Sequence, residues 1–306
     1  MNSKYYLTTP LYYVNSKPHI GHSYTEIAAD TLARFHRLRG DKVLFLTGTD
    51  EHGQKVDKAA QAAGLAPKEF TDKISQSFKD LWKTLHISYD DFIRTTEPRH
   101  IAAVQAVWIK LHEKNEICKD TYRGLYCTTC ESFWLESQVI QTPDIVGAQR
   151  AVSLQCPDCK RPVERIEEDN YFLVFAKHQV WLIQYIRDHK DFILPETRRN
   201  EVLGFLENNA LQDLCISRPK SRLSWGIPSP ISENHVTYVW FDALINYISA
   251  CGYPNEKKMA EWWPADVHII GKDILRHHAV YWTLLLKALD LPLPKMIFAH
   301  GWWVQG

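Results

Sequence analysis

The 306 residues carry no excess of charge, because 36 Lys and Arg balance 36 Asp and Glu. That excludes a globally basic nucleic-acid binder and leaves room only for a local basic face. Long apolar runs are missing too. None approaches the roughly 20 residues needed to cross a bilayer. The opening "MNSKYYL" enters a strand-like run within four residues, which leaves no space for a signal or transit peptide. A cytoplasmic chain with no membrane partner is the expectation. There are no internal repeats and no low-complexity segment. Cysteines are few and odd in number, seven in all, which argues against a disulfide framework. Cys118, Cys215 and Cys251 are scattered and read as ordinary buried thiols.

What is present is a large apolar fraction, 45% hydrophobic and 12% aromatic. That suffices for a sizeable core and for one large or two to three smaller domains. Residues 4–9 and 42–47 ("KVLFLT") are β-rich runs. Between them "SYTEIAADTLARFHRLRG" spaces Ile27, Thr31, Leu32, Phe35 and Leu38 as on a helix and ends at Gly40, a C′ glycine. Strand, loop, helix and strand make a βαβ unit and predict a parallel sheet. Helices are predicted over 54–63, 68–86, 98–115 and 171–188. Residues 116–225 read as irregular, rich in Pro, Asp and Gln, before α/β character returns. The organisation expected is one α/β domain, 1–115 and 226–306, interrupted by an insertion over 116–225.

Four cysteines form two C-x-x-C pairs, "CTTC" (Cys127, Cys130) and "CPDC" (Cys156, Cys159), 25 residues apart. Two such tight turns can point four thiolates inward and close a tetrahedral zinc site. The alternative is four reduced thiols. A redox pair needs a single C-x-x-C in a thioredoxin-like setting, which is not found here. Four protein ligands leave no open position, so one structural Zn2+ is expected.

Residues 18–22 read "PHIGH". Two histidines three apart are a weak metal signal and by themselves are compatible with core or surface packing. Their setting points elsewhere. His19 and His22 lie between a strand and a helix, Gly21 admits close backbone approach, and the helix start offers unpaired N–H groups. Two imidazoles there can donate to phosphate oxygens. Other polar residues follow strand-like runs. They are Asp50, Glu51 and His52 in "FLTGTDEHG", Gly271, Lys272 and Asp273 in "IIGKD", and His300 in "IFAHG". Ligands of open parallel sheets bind beyond the carboxyl ends of the strands. Asp50 and Asp273 are each also plausible helix N-caps.

Together "TTPLYYVNSKPHIGH", "FLTGTDEHG", "LCISRPKSRLSWGIP", "TYVWFDALINY", "IIGKDILRHHAVYW" and "AHGWWV" resemble class I aminoacyl-tRNA synthetases, of the bacterial methionyl type, over essentially the whole chain. The resemblance implies a Rossmann-like parallel sheet with helices on both faces, split by a zinc-binding connective-peptide insertion. It implies activation of L-methionine with Mg2+-ATP to the adenylate, then transfer to tRNA(Met). Under it His19 and His22 are catalytic, and ATP also meets Gly21, Gly271, Lys272, Asp273 and His300. Methionine meets Leu11, Tyr13, Asp50, Trp240, Ala243, Leu244, Tyr247, Ile274 and His278. The residue types suit this independently, since in-line attack on phosphorus needs positioning and charge stabilisation. A thioether favours aromatic partners such as Tyr13, Trp240 and Tyr247. Without the resemblance, Trp240 and Tyr247 read as core aromatics.

The family's K-M-S-K-S loop, stem-contact region and anticodon-binding domain are not in these 306 residues. The expectation is a catalytic-domain fragment, truncated before that loop and impaired in turnover, with much of the tRNA surface outside it. Relatives charging leucine, isoleucine or valine carry a larger editing insertion, and a cysteinyl enzyme uses zinc in the amino-acid site. The remaining alternative is a non-catalytic zinc module binding RNA or protein.

Overall fold

The computed structural model describes residues 3–130, 132–134, 136, 138–146 and 149–303. Val304, which closes the "AHGWWV" motif, lies outside the described residues. The first part of the chain forms β1 (Lys4–Tyr13), α1 (Ile20–Leu38), β2 (Lys42–Asp50), α2 (Gln54–Ala62), α3 (Pro67–Thr84), β3 (Asp91–Arg94) and α4 (Pro98–Glu113). The middle forms β4 (Ile117–Cys127), β5 (Ser132–Trp134), β6 (Ile140–Val146), β7 (Gln149–Gln155), β8 (Glu164–Leu173), α5 (Gln179–Asp188), β9 (Ile193–Leu194), α6 (Glu196–Asn208), β10 (Leu214–Cys215) and β11 (Ser217–Pro219). The last part forms β12 (His235–Thr237), α7 (Val239–Leu244), β13 (Val267–Gly271) and β14 (Ile297–His300).

The centre is a six-stranded parallel sheet in the order β3-β2-β1-β13-β14-β9. The chain runs outward from β1 to β3, then returns on the other side of β1 with β13. The crevice at the carboxyl ends of β1 and β13 is therefore the switch point where such sheets bind ligands. Neighbouring residues on each strand face opposite ways. Leu7, Phe45, Val267 and Ile269 pack on Ala29 and Ala33 of α1. Tyr6, Leu46, Ile93 and Ile270 pack on the other face against Val104, Val107 and Trp108 of α4. Helices thus cover both faces, as α/β layering requires.

Helix α1 departs from the expected apolar stripe. Ile27, Phe35 and Leu38 are exposed, at 48%, 52% and 89%. Thr25, Glu26, Ala29, Asp30 and Ala33 face the sheet instead. Small alanines let the helix sit close, and the buried acids find local hydrogen bonds. Asp30 accepts from Ser88 N–H at 2.7 Å and from Arg34. Glu26 is fully buried and accepts hydrogen bonds from the Thr9 and Thr47 hydroxyls.

Burial pushes Glu26 up to about 7, against the hydrogen bonds from Thr47, Thr9 and Tyr12, which lower it. A carboxyl with a raised folded-state pKa contributes stability that is complete below its unfolded value, near 4.5, and lost as pH climbs through 7. At about 1.36 kcal/mol per unit the loss is roughly 3 kcal/mol. Glu26→Gln removes it. The variant is therefore expected to melt several degrees above the parent at pH 8 and to lose that advantage at pH 4. Parallel melting curves at the two pH values would refute this.

The middle segment is more regular than its composition suggests. It contains an antiparallel sheet, β10-β8-β4-β5, and the β6–β7 hairpin. The helix expected over 171–188 is strand β8 up to Leu173, then a turn, then α5. Pairing with β4, from Ile117 opposite Leu173 to Tyr126 opposite Glu164, claims the first part. The Asp213 carboxylate then accepts the N–H groups of Phe175 and Ala176 and turns the chain. Strand β9, within the span expected as an insertion, joins the parallel sheet beside β14. Of the scattered cysteines, Cys215 and Cys251 are buried and Cys118 is exposed.

Candidate active site

The "PHIGH" histidines are not in a loop before the helix; they begin it. His19 is the N-cap of α1, and its Nδ1 accepts the N–H of Gly21 at 3.1 Å. His22 sits at N3, and its Nδ1 accepts the N–H of His19 at 3.2 Å. This is a reciprocal capping box built from two imidazoles. The rings stack at 3.7 Å between centroids. Because both Nδ1 atoms accept, the hydrogen-bond directions assign each ring's proton to Nε2. Both residues line the same cavity, and each keeps its Nε2 as a donor. Burial, and then His19 beside it, lowers His22 to about 4, so it stays neutral above that. A Cβ at Gly21 would lie 3.0 Å from the His19 ring, a tight contact that would press on the cap.

The cavity at the strand ends has a volume of about 800 Å³, within the range of ligand sites. Leu11, Tyr13, His19, Gly21, His22, Asp50, Trp240, Ala243, Leu244, Tyr247, Gly271, Asp273, Ile274, His278 and His300 all line it. Lys272 does not; its ammonium lies 4.0 Å above the Trp302 ring, where that face holds the cation. Neither Asp50 nor Asp273 caps a helix. Gly53 is the N-cap of α2, and Gly271 that of the turn carrying Asp273. A Cβ at Gly271 would fall 2.4 Å from Asp273 Oδ1, so a larger residue there would displace that carboxylate. His300 is held on both sides: Nδ1 donates to the Gly301 carbonyl, and Nε2 accepts from the Thr25 hydroxyl at 2.8 Å. It lines the cavity without a spare donor.

One wall is aromatic. The Tyr247 hydroxyl donates to His278 Nε2 at 2.7 Å, and His278 Nδ1 donates to the Ile274 carbonyl at 3.0 Å. Burial lowers His278 to about 4, so the ring is neutral. A π-helical turn over His277–Trp282 brings His277 onto Trp240, with ring centroids 3.7 Å apart. His277 was not singled out from the sequence; only that turn makes two adjacent histidines both face the site.

Behind the wall, a fully buried carboxylate ties three elements together. Asp242 of α7 accepts from His52 Nδ1 at 2.7 Å and from His100 Nε2 at 2.6 Å. Burial raises its pKa, but the His52 charge and the bonds from both rings outweigh that and hold it below the usual range. The link fixes α7, which bears Trp240, Ala243 and Leu244, to the loop after Asp50. His52 was legible as a strand-end residue; Asp242 and His100 were not.

The two C-x-x-C pairs converge. All four sulfurs lie within 4.8 Å of one another, with Cys127 and Cys159 at 3.5 Å and Cys130 and Cys156 at 3.9 Å. Tetrahedral thiolates about 2.3 Å from one ion sit at about this separation, so the cluster can hold a metal. Burial raises Cys127 to about 11 and Cys130 further, while backbone and thiol hydrogen bonds lower Cys159 against its burial. Thr129, Ser132, Asp158 and Arg161 beside these cysteines also line the main cavity. Nothing in the sequence foretold that contact, which depends on how the antiparallel sheet is set against the parallel one.

Fold and site define a Rossmann-like α/β domain with a histidine-capped helix at the switch point. The family described as tRNA synthetases class I (M) matches residues 5–306, and the chain belongs to it. It is 52% identical over 300 residues to the "Methionine--tRNA ligase" of Clostridium perfringens, covering 97% of this chain and 44% of that protein. It is 50% identical over 306 residues to that of Rickettsia conorii, covering 100% and 57%. The chain thus spans about half the length of these curated relatives. Mycobacterium tuberculosis methionyl-tRNA synthetase in complex with methionyl-adenylate matches with a TM-score of 0.91 and 41% identity, over 98% of this chain and 57% of that one. The free form of that enzyme matches with a TM-score of 0.82 and 38% identity, over 98% and 56%. No helix among the described residues is long and apolar enough to cross a membrane.

Proposed function

We propose that this chain is the catalytic part of a methionine–tRNA ligase, which joins L-methionine to ATP and passes the methionyl group to tRNA(Met). The observation that carries this is the lining of one cavity. A buried carboxylate, an aromatic wall and two ring N–H donors face the same space. Asp50 takes the α-ammonium. Leu11, Tyr13, Ala243, Leu244 and Ile274 enclose the side chain, with Trp240 and His277 stacked across it. Tyr247 and His278, locked to each other, present polar atoms near the thioether. The methionine carboxylate is then free to attack the α-phosphorus in line. His19 and His22 donate their Nε2 protons to phosphate oxygens as charge develops there, without changing protonation state. Gly21 and Gly271 give the nucleotide close access to the backbone, and Asp273 and His300 border it. Mg2+ enters with ATP and offsets phosphate charge. Lys272, held over Trp302, is assigned no phosphate contact.

Residues 116–225, apart from strand β9 in the parallel sheet, act as the connective-peptide insertion, and one zinc ion in the four-cysteine cluster holds its tip. A non-catalytic zinc module would leave the cavity and its convergent polar groups without a purpose. Calorimetry of the chain with methionine, leucine, isoleucine and cysteine tests the assignment. Shape alone separates such side chains by roughly 1–3 kcal/mol. With the Tyr247–His278 pair added, methionine is expected to bind at least about 100-fold more tightly than isoleucine. Tighter binding of leucine or cysteine would overturn the reading.

A further inference from the structure

The second cysteine knuckle holds one residue with unusual rigidity. Lys160 takes a left-handed φ of 62°, and its N–H donates to the Cys156 carbonyl at 2.9 Å. Arg161 follows. Its carbonyl accepts the Cys156 N–H at 2.8 Å, and its own N–H donates to the Cys159 sulfur. Pro162 then bridges back to Gln155. The backbone of Arg161 is therefore pinned by two of the four metal-cluster cysteines. Its side chain is exposed, lines the cavity shared with His19 and His22, and makes no hydrogen bond or ion pair among the described residues.

The cavity's charges give that guanidinium a purpose. Its lining includes three carboxylates, Asp50, Asp158 and Asp273, and two full cations, Lys55 and Arg161. The Lys55 ammonium lies 5.6 Å from the centre of the Tyr13 ring, beside the space assigned to the amino acid. His19 and His22 offer single ring N–H donors. A polyphosphate chain entering this space needs a cation, and a guanidinium grips two phosphate oxygens through parallel N–H groups.

We propose that Arg161 binds the polyphosphate of the nucleotide, carried to it by the metal knuckle. The insertion then supplies part of the ATP site, and metal occupancy governs nucleotide affinity through one side chain. This rests on the ATP-dependent reading above. The test is calorimetry of the metal-loaded chain and its Arg161→Ala and Arg161→Lys variants, with metal content measured in each. The ligands are the magnesium complex of α,β-methylene-ATP, AMP and methionine. Arg161→Ala is expected to weaken the ATP analogue about 10-fold, the scale of one charge-assisted contact. AMP, methionine and metal content stay unchanged, and Arg161→Lys restores part of the loss. Unchanged affinity for the ATP analogue, with methionine and nucleotide still bound by the parent chain, overturns the role of Arg161 alone. A loss shared by AMP and methionine, or accompanied by loss of metal, marks damage to the knuckle and overturns it too. A parent chain that binds neither methionine nor nucleotide removes the activation reading and this assignment with it.

Discussion

Asp50→Asn is expected to reduce methionine affinity by about 100-fold or more while leaving the fold intact. Asp50 ends β2, opposite Tyr13 of β1, and is only 6% exposed. Its backbone carbonyl accepts the Val14 N–H at 3.2 Å, which holds the strand ends together independently of the side chain. Asparagine keeps the shape and removes the charge. Truncating one partner of a buried, hydrogen-bonded charge pair costs roughly 2–5 kcal/mol, and each 1.4 kcal/mol is about a factor of ten. Melting temperature serves as the control for the fold. A second ligand sharpens the test. The hydroxy analogue of methionine lacks the ammonium, so it is expected to bind parent and variant with similar, weak affinity. A variant that binds methionine within threefold of the parent would remove Asp50 from the ammonium site.

Much of this site was legible before the fold, for a topological reason. Parallel sheets bind ligands past their carboxyl ends, so polar residues after "VLFLT", "VHII" and "IFA" had to meet. His19 and His22 were readable as residues of the strand-end site, but their mutual capping was not. Histidine is a rare N-cap, and the pattern S/T-x-x-E that marks a capping box is replaced by H-x-x-H. Helix α1 misled by composition. Its exposed face carries Ile27, Phe35 and Leu38, while the sheet side carries alanines and hydrogen-bonded acids. Periodicity finds a helix but does not say which stripe is buried when buried acids have their partners. Residues such as Asp242, His100 and Arg161 act across long sequence separations. Nothing local distinguishes them from structural or solvent-facing residues.

The metal cluster leads to the other large effect. Cys130→Ser is expected to abolish stoichiometric zinc binding and to open the tip of the insertion without unfolding the parallel sheet. The core beneath the cysteines is small: Leu125, Trp134 and Val139, with Cys127 and Cys156 themselves. So few apolar side chains cannot order the surrounding segments, whereas structural zinc contributes about 10–16 kcal/mol in small metallo-domains. Most of the local stability is then expected to come from the ion. Its affinity falls with falling pH, because the Cys127 and Cys130 thiols, raised by burial, must each give up a proton to bind it. Limited proteolysis and metal analysis read the outcome. Cleavage is expected between residues 125 and 166 in the serine variant or the chelator-treated chain, with the first 115 residues still protected. Methionine binding is expected to survive, since Asp50 and the aromatic wall stand on the parallel sheet and α7. Nucleotide binding is expected to weaken as it does in Arg161→Ala. One zinc per chain in Cys130→Ser would disprove a four-thiolate centre.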